Sequence, residues 1–210
     1  MLNMKKYKTN QESLWAGRFG NEYTLRNRKD FLIPSNRVLF AKIFSTLPTP
    51  IHSLIEFGAG TGNNLIAIRS LLPNIHITAV DINSSAVKQL KKIEHIEVIN
   101  KSIIGLSLDK TFDFVLTKGV LINQSPKELP SIYNLLYNAS NKFICLAEYY
   151  NPIPIELPYR GHKGLLIKRD FAGEMMDMHK DLSLVDYGFA YHRDNNFFQD
   201  DITWFLMRKP

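Results

Sequence analysis

The sequence predicts an α/β protein with a mostly parallel sheet and helices on both faces. Three observations carry that expectation. Short β-branched runs alternate with stretches of helical spacing between residues 53 and 147. A glycine-rich loop, Gly58-Ala59-Gly60-Thr61-Gly62, joins the first such run to a helical stretch. Two apolar runs, residues 182–191 and 202–207, close the chain and read as an antiparallel strand pair.

Each element has a local reason. Trp15, Phe19 and Tyr23 recur every four residues, an aromatic stripe on a helix over residues 11–27 that Gly17 and Gly20 weaken. Pro34-Ser35 opens a second helix, with Val38, Leu39, Ile43, Phe44 and Leu47 apolar, and Pro48 and Pro50 end it. Residues 53–57 form a first strand that stops at Gly58. Residues 63–72 read as a helix broken by Pro73-Asn74. Residues 75–82 form a second strand, with Asp81 at its end, and Ser84 is expected to cap the next helix. Residues 96–99, 112–117 and 143–147 give three more strands, and Ser125-Pro126 opens a helix running to about residue 139. Residues 150–167 carry Pro and Gly and read as a long irregular segment, and residues 171–178 as a helix.

Length and patterning suit one domain, residues 51–210, behind a helical extension at residues 1–50. With 45% apolar and 22% charged residues, disordered and fibrous classes are excluded. The lone cysteine, Cys145, cannot form an internal disulfide, which suits a reducing compartment. The N-terminus lacks an apolar signal core, and no apolar run is long enough to span a bilayer, so a cytoplasmic protein without a membrane partner is expected. The net charge of +6 resides wholly in residues 1–42, which hold nine Lys/Arg against three Asp/Glu. This is read as a solvated helix face. An RNA-binding module would need aromatic spacing that is absent. No metal-ligand spacing occurs, and the P-loop pattern is missing.

Glycines at a strand-to-helix turn let a ligand approach the backbone and its free N–H groups. The dinucleotide fingerprint G-x-G-x-x-G/A fails here, because its sixth position is Asn63. Asp81, 21 residues beyond Gly60, is placed to accept from ribose hydroxyls. Loop and acid together point to a nucleoside ligand, and a nicotinamide oxidoreductase stays open as an alternative.

The run Glu56-x-Gly58-x-Gly60-x-Gly62 followed by Asp81 resembles the class I S-adenosylmethionine (SAM)-dependent methyltransferases. The resemblance implies a Rossmann-like seven-stranded sheet with an antiparallel last strand. It also implies SAM as methyl donor, with Glu56, Gly58, Gly60 and Gly62 near its methionine part and Asp81 on both ribose hydroxyls. The acid that many relatives carry after the third strand is absent from Asn100-Lys101-Ser102-Ile103-Ile104. There Ser102 or a backbone carbonyl is expected to meet the adenine, and Ile82 and Ile103 are also expected to bind the cofactor. Lys118-Gly119 is expected beside the methionine part. Longer blocks resemble a narrower family, the methylases associated with pseudaminic acid biosynthesis. They are Leu14-Trp15-Ala16-Gly17-Arg18-Phe19-Gly20-Asn21-Glu22-Tyr23 with Arg26-Asn27, Thr117-Lys118-Gly119-Val120-Leu121-Ile122, Pro158-Tyr159-Arg160-Gly161-His162 and Gln199-Asp200-Asp201-Ile202-Thr203-Trp204-Phe205. This implies a nonulosonic acid, its precursor or a substituent on it as acceptor, methylated on oxygen or nitrogen.

The segment after the fifth strand is polar and aromatic. Tyr149, Tyr150, Asn151, Tyr159, Arg160 and Arg169 are expected to bind an acidic sugar, with arginine forks on its carboxylate. The same region holds carboxylates suited to an arginine or amidine nitrogen on a peptide or small molecule, a second acceptor class. His162, Glu148 and His192 are the candidate bases. The N-terminal helix is expected to close over the ligand as a lid, with Trp15, Phe19 and Tyr23 covering it and Arg18 or Arg26 reaching a carboxylate.

Overall fold

The computed structural model describes residues 7–26 and 31–210. Asn27 and the basic residues Lys5, Lys6, Arg28 and Lys29 lie outside them.

The N-terminal stripe forms two helices rather than one, α1 (Asn10–Ala16) and α2 (Arg18–Arg26), because Gly17 between them takes an extended conformation. Thr9 and Glu12 form a capping box at the start of α1. After α3 (Leu32–Ser45) the alternation begins: β1 (Ser53–Phe57), α4 (Asn63–Leu71), β2 (His76–Val80), α5 (Ser84–Leu90), β3 (Ile96–Ile99) and β4 (Phe112–Lys118). A short 3-10 turn (Leu121–Asn123) and α6 (Leu129–Ala139) lead to β5 (Ser140–Glu148). Two helix starts differ from expectation. Asn83, not Ser84, caps α5, because its side-chain oxygen accepts from the N–H groups of Ser85 and Ala86. The next helix begins at Leu129 rather than at Ser125-Pro126, with Pro130 in its first turn, where a missing N–H costs nothing.

The segment read as irregular is a β-hairpin, β6 (Ile155–Tyr159) with β7 (His162–Lys168). Arg160 and Gly161 turn it, both with positive φ. Pro154 and Pro158 hid it, and they are tolerated because the ribbon has two strands and therefore two open edges. The helix α7 (Phe171–Met178) precedes β8 (Ser183–Ala190) and β9 (Ile202–Arg208).

The main sheet has seven strands in the order β3-β2-β1-β4-β5-β9-β8. All run parallel except β9, which is antiparallel to both neighbours. Strand residues alternate between two cores, as the pleat requires. Leu54, Phe114, Leu116 and Trp204 pack against Leu39, Phe40 and Ile43 of α3 and Leu65 and Ile68 of α4. Ile55, Val115, Ile144 and Leu146 pack against Ile132 and Leu136 of α6 and Phe171 and Met175 of α7. The strand order reverses between β1 and β4. In such sheets that reversal opens a crevice at the carboxyl ends of the strands.

Candidate functional site

A cavity of about 210 Å³ opens where β1 and β4 diverge. Its floor is Gly58, Ala59, Gly60, Thr61, Asn63 and Asn64 after β1, and Asp81, Ile82 and Asn83 after β2. Ser102 and Ile103 line it after β3, and Lys118, Gly119, Val120, Asn123 and Gln124 after β4. Gln11, Glu12, Trp15, Gly20, Tyr23 and Thr24 close it from α1 and α2, with Leu32, Asn36 and Asp200 at its side.

Backbone geometry sets the floor. The N–H groups of Gly58 and Ala59 both donate to the carbonyl of Val80, tying the loop to the end of β2. Gly58 has φ +71°, and a Cβ there would meet Val120 Cγ2 at 2.5 Å. Gly62 has φ +85° and caps α4, and its Cβ would strike Ile93 Cδ1 at 2.4 Å. Gly60 instead faces open space, so a ligand can approach its backbone. The Asp81 carboxylate accepts from the N–H groups of Gly60 (2.8 Å) and Asn83 (2.7 Å). Each of its oxygens keeps a further lone pair.

The N-terminal helices are fastened over this floor from three directions. Asn83 Nδ2 donates to the carbonyl of Trp15 and to Asn21 Oδ1. Gln11 Nε2 donates to the carbonyl of Gly164 in β7. Lys8 pairs with Glu128 at 2.7 Å. The aromatic stripe packs edge to face, with Trp15 against Phe19 (5.2 Å) and Tyr23 (5.0 Å). The indole N–H of Trp15 is buried without a partner, a donor left for a ligand.

The residues singled out from sequence divide in two. Gly58, Gly60, Asp81, Ile82, Ser102, Ile103, Lys118, Gly119 and Trp15 line the cavity together. Glu56, Gly62 and Arg26 do not. Glu56 lies beneath the loop, fully buried, taking a hydrogen bond from Asn64 Nδ2 at 2.6 Å. Arg26 reaches Glu22 on its own helix at 3.9 Å.

None of the three candidate bases lines the cavity. Glu148 is buried, and its carboxylate accepts from the backbone N–H groups of Val120 and Ile122, fixing the turn after β4. His162, on β7, packs edge to face on Phe19 at 5.3 Å. His192 is exposed and bonds Asp201 Oδ1 at 2.8 Å.

The residues expected to bind an acidic sugar also stand apart from the cavity. Arg169 is paired with Glu174 at 2.6 Å, and that carboxylate also accepts from Tyr133. Arg160 is at the hairpin tip, over the ring of Tyr159. Tyr149 lies under Lys168, Tyr150 beside Phe205, and the Asn151 amide bonds the carbonyl of Ile153. The polar wall is made by Gln11, Asn36, Asn123, Gln124 and Asp200, of which sequence reading missed Gln11 and Asn36. The wall residues come from four separate parts of the chain, and no spacing connects them.

Burial sets the charge states beneath the site. It pushes the Glu56 carboxyl up to about 8 and Glu148 up to about 7. It also raises Asp81, against the two N–H bonds it accepts, and pulls the Lys118 ammonium below the usual lysine range. A buried acid with a raised pKa holds a proton that the unfolded chain releases. Its contribution to stability is therefore present below pH 4.5 and lost as pH rises towards the folded value. The stability of Glu56→Gln minus that of the wild type is thus expected to stay constant below pH 5 and to grow in the variant's favour between pH 5 and 8. Thermal unfolding across that range checks it, and a constant difference would rule out a buried protonated Glu56.

Residues 55–138 match the profile of a family described as a methyltransferase domain. Over 91 residues the chain is 32% identical to the release factor glutamine methyltransferase of Rhodopirellula baltica, a match covering 39% of this chain and 31% of that protein. The chain therefore spans less than a third of this curated relative's length. Among solved structures, the fold is similar to the Burkholderia thailandensis 1,6-didemethyltoxoflavin-N1-methyltransferase, solved with S-adenosylhomocysteine (TM-score 0.67, 14% identity, 95% of this chain and 86% of that one). The Synechocystis magnesium protoporphyrin IX methyltransferase, also solved with S-adenosylhomocysteine, is equally similar (TM-score 0.67, 12% identity, 95% and 97%). A glycopeptide N-methyltransferase complexed with SAM matches at TM-score 0.60 and 13% identity, over 84% and 94%. Fold and matched segment agree: residues 55–138 are similar to a methyltransferase domain, and the seven-stranded sheet shares the Rossmann-like fold of these solved methyltransferases. No described helix is long and apolar enough to cross a membrane.

Proposed function

We propose that this protein transfers the methyl group of SAM to oxygen or nitrogen of a small acceptor. The observation that carries the reading is the pairing of Asp81 with Gly60 on the cavity floor. A buried carboxylate with spare lone pairs stands beside a glycine that leaves its backbone open. Asp81 is assigned the ribose hydroxyls. Gly58, Gly60, Lys118 and Gly119 are assigned the methionine part, Ile82, Ser102 and Ile103 the adenine, and Trp15 the covering wall. The Ser102 hydroxyl already accepts from the Ile104 N–H, which orients it within the loop. Glu56 and Gly62 are assigned a supporting role, holding the loop from beneath. SAM supplies an activated methyl group on a sulfonium. The chain's own part is to hold the acceptor in line with it and to exclude water.

For the acceptor we carry forward a nonulosonic acid, its precursor or a substituent on it, as the long resemblance implies, in a cytoplasmic enzyme without a nucleic-acid partner. A cavity wall rich in amides suits a polyhydroxylated ligand: Gln11, Asn36, Asn123 and Gln124. Asn123 Oδ1 is buried without a partner, and the Asn123 amide nitrogen is held by the carbonyl of Gly119. A second acceptor class, an arginine or amidine nitrogen on a peptide or small molecule, is favoured by Asp200, an exposed carboxylate in the cavity wall. Calorimetric titration with SAM, S-adenosylhomocysteine and NAD tests the donor. Binding of the first two at micromolar concentrations without NAD binding is expected, and NAD binding in their place would return the site to the oxidoreductases. Acidic sugars and amidines, each offered with methyl-labelled SAM, then separate the acceptor classes.

A further inference from the structure

An acceptor hydroxyl or ammonium must lose a proton in methyl transfer, and the bases expected from sequence stand outside the cavity. We infer that the side-chain amine of Lys118 takes that proton, as the general base of the cavity. The inference rests on the reading of the protein as a SAM-dependent methyltransferase.

Position carries it first. Lys118 is the last residue of β4, beside the point where the sheet order reverses, and it lines the cavity. Among the described residues it is the one lysine, arginine or histidine that does so. The carboxylates around it are committed elsewhere or open to solvent. Glu12 accepts from the N–H groups of Lys8 and Thr9. Asp81 accepts from those of Gly60 and Asn83. Asp200 is open to solvent. Tyr23 adds a phenol to the wall. Lys118 itself feels three acids through space: Glu56 on β1, Glu148 on β5 and Asp200 before β9. None of them forms an ion pair that would lock its ammonium. Burial outweighs their pull and favours the neutral amine.

The charge balance then fits the reaction. The acceptor's lone pair forms a bond to the methyl carbon, and the carbon–sulfur bond breaks with its electron pair staying on sulfur. The acceptor's proton moves to Lys118 Nζ. One positive charge disappears from sulfur and one appears on Nζ. An ammonium at Lys118 is therefore opposed while the sulfonium is bound and relieved once it is spent. The proton leaves by the side where Asp200 meets solvent.

That coupling is measurable without an acceptor. Dissociation constants for SAM and S-adenosylhomocysteine would be measured on the full chain by calorimetry between pH 6 and 9. Lys118→Met, which lacks the amine, sets the baseline from the ligands' own titrations. Relative to it, the wild type is expected to disfavour SAM against S-adenosylhomocysteine at low pH. The gap should narrow as pH rises and the Lys118 ammonium, held below the usual lysine range, gives way to the amine. Lys118→Arg, charged throughout, should disfavour SAM at every pH. Glu56→Gln, which removes one of the acids that pull Lys118 towards its ammonium, should keep the pH dependence and displace it to lower pH. A wild-type profile in Lys118→Met, or loss of the pH dependence in Glu56→Gln, would overturn the inference and leave the methyltransferase reading intact. Failure of both ligands to bind the folded chain would overturn both.

Discussion

Alanine at position 81 is expected to weaken binding of SAM and of S-adenosylhomocysteine alike by about 1.5–3 kcal/mol, roughly ten- to 150-fold. The equality matters, because the ribose is common to both ligands and the sulfonium is not. Each Asp81 oxygen accepts one backbone N–H, from Gly60 or from Asn83, and retains a lone pair for a ribose hydroxyl. Alanine therefore removes two ligand acceptors and also frees the glycine loop and the start of α5. Asp81→Asn separates these effects. It keeps the volume and one acceptor but turns an amide towards a backbone N–H. Its affinity should fall between wild type and Asp81→Ala, with a melting temperature closer to the wild type. Calorimetry beside thermal unfolding measures both. Unchanged affinity in Asp81→Ala would remove the ribose role.

The floor of the cavity was legible in the sequence because local chemistry dictates it. A strand that ends in three alternating glycines leaves few conformations, and an acid at the next strand end adjoins it by topology. The wall was legible only in part. Gln11 and Asn36 are ordinary polar residues, brought to it only when α1 and α3 fold onto the sheet. The candidate bases were chosen by residue type, and type carries no address. Glu148 has the buried, raised-pKa character of a base, yet its oxygens hold the turn after β4. His162 is drawn to an aromatic edge and His192 to an exposed carboxylate. The hairpin was obscured by its prolines. Its one usable signal was Arg160-Gly161, a residue followed by glycine at a tight turn where both take positive φ.

Gly20→Ala is expected to detach the cover from the cavity while leaving the sheet folded. The same glycine that reads as a weak point in a helix is the place where two helices meet. A Cβ on Gly20 would fall 1.8 Å from the carbonyl oxygen of Trp15 and 2.7 Å from Asn83 Nδ2. The first is backbone and cannot yield without moving α1, and the second is the side chain that ties α1 and α2 to the cap of α5. Overpacking of this kind costs about 1–3 kcal/mol. That cost falls on α1 and α2, which lie outside the two cores flanking the sheet. Displacing α1 carries Gln11, Glu12 and Trp15 out of the cavity wall together. SAM affinity should therefore fall tenfold or more with only a small change in melting temperature, and hydrogen exchange should rise in residues 10–26 rather than in the strands. Asn83→Ala makes the complementary cut, since it removes the tether and leaves the glycine. The two changes act on one contact, so their effects on affinity should combine to less than their sum. Full additivity would show that Gly20 serves α2 alone and that the cover is held by Lys8–Glu128 and Gln11–Gly164 instead.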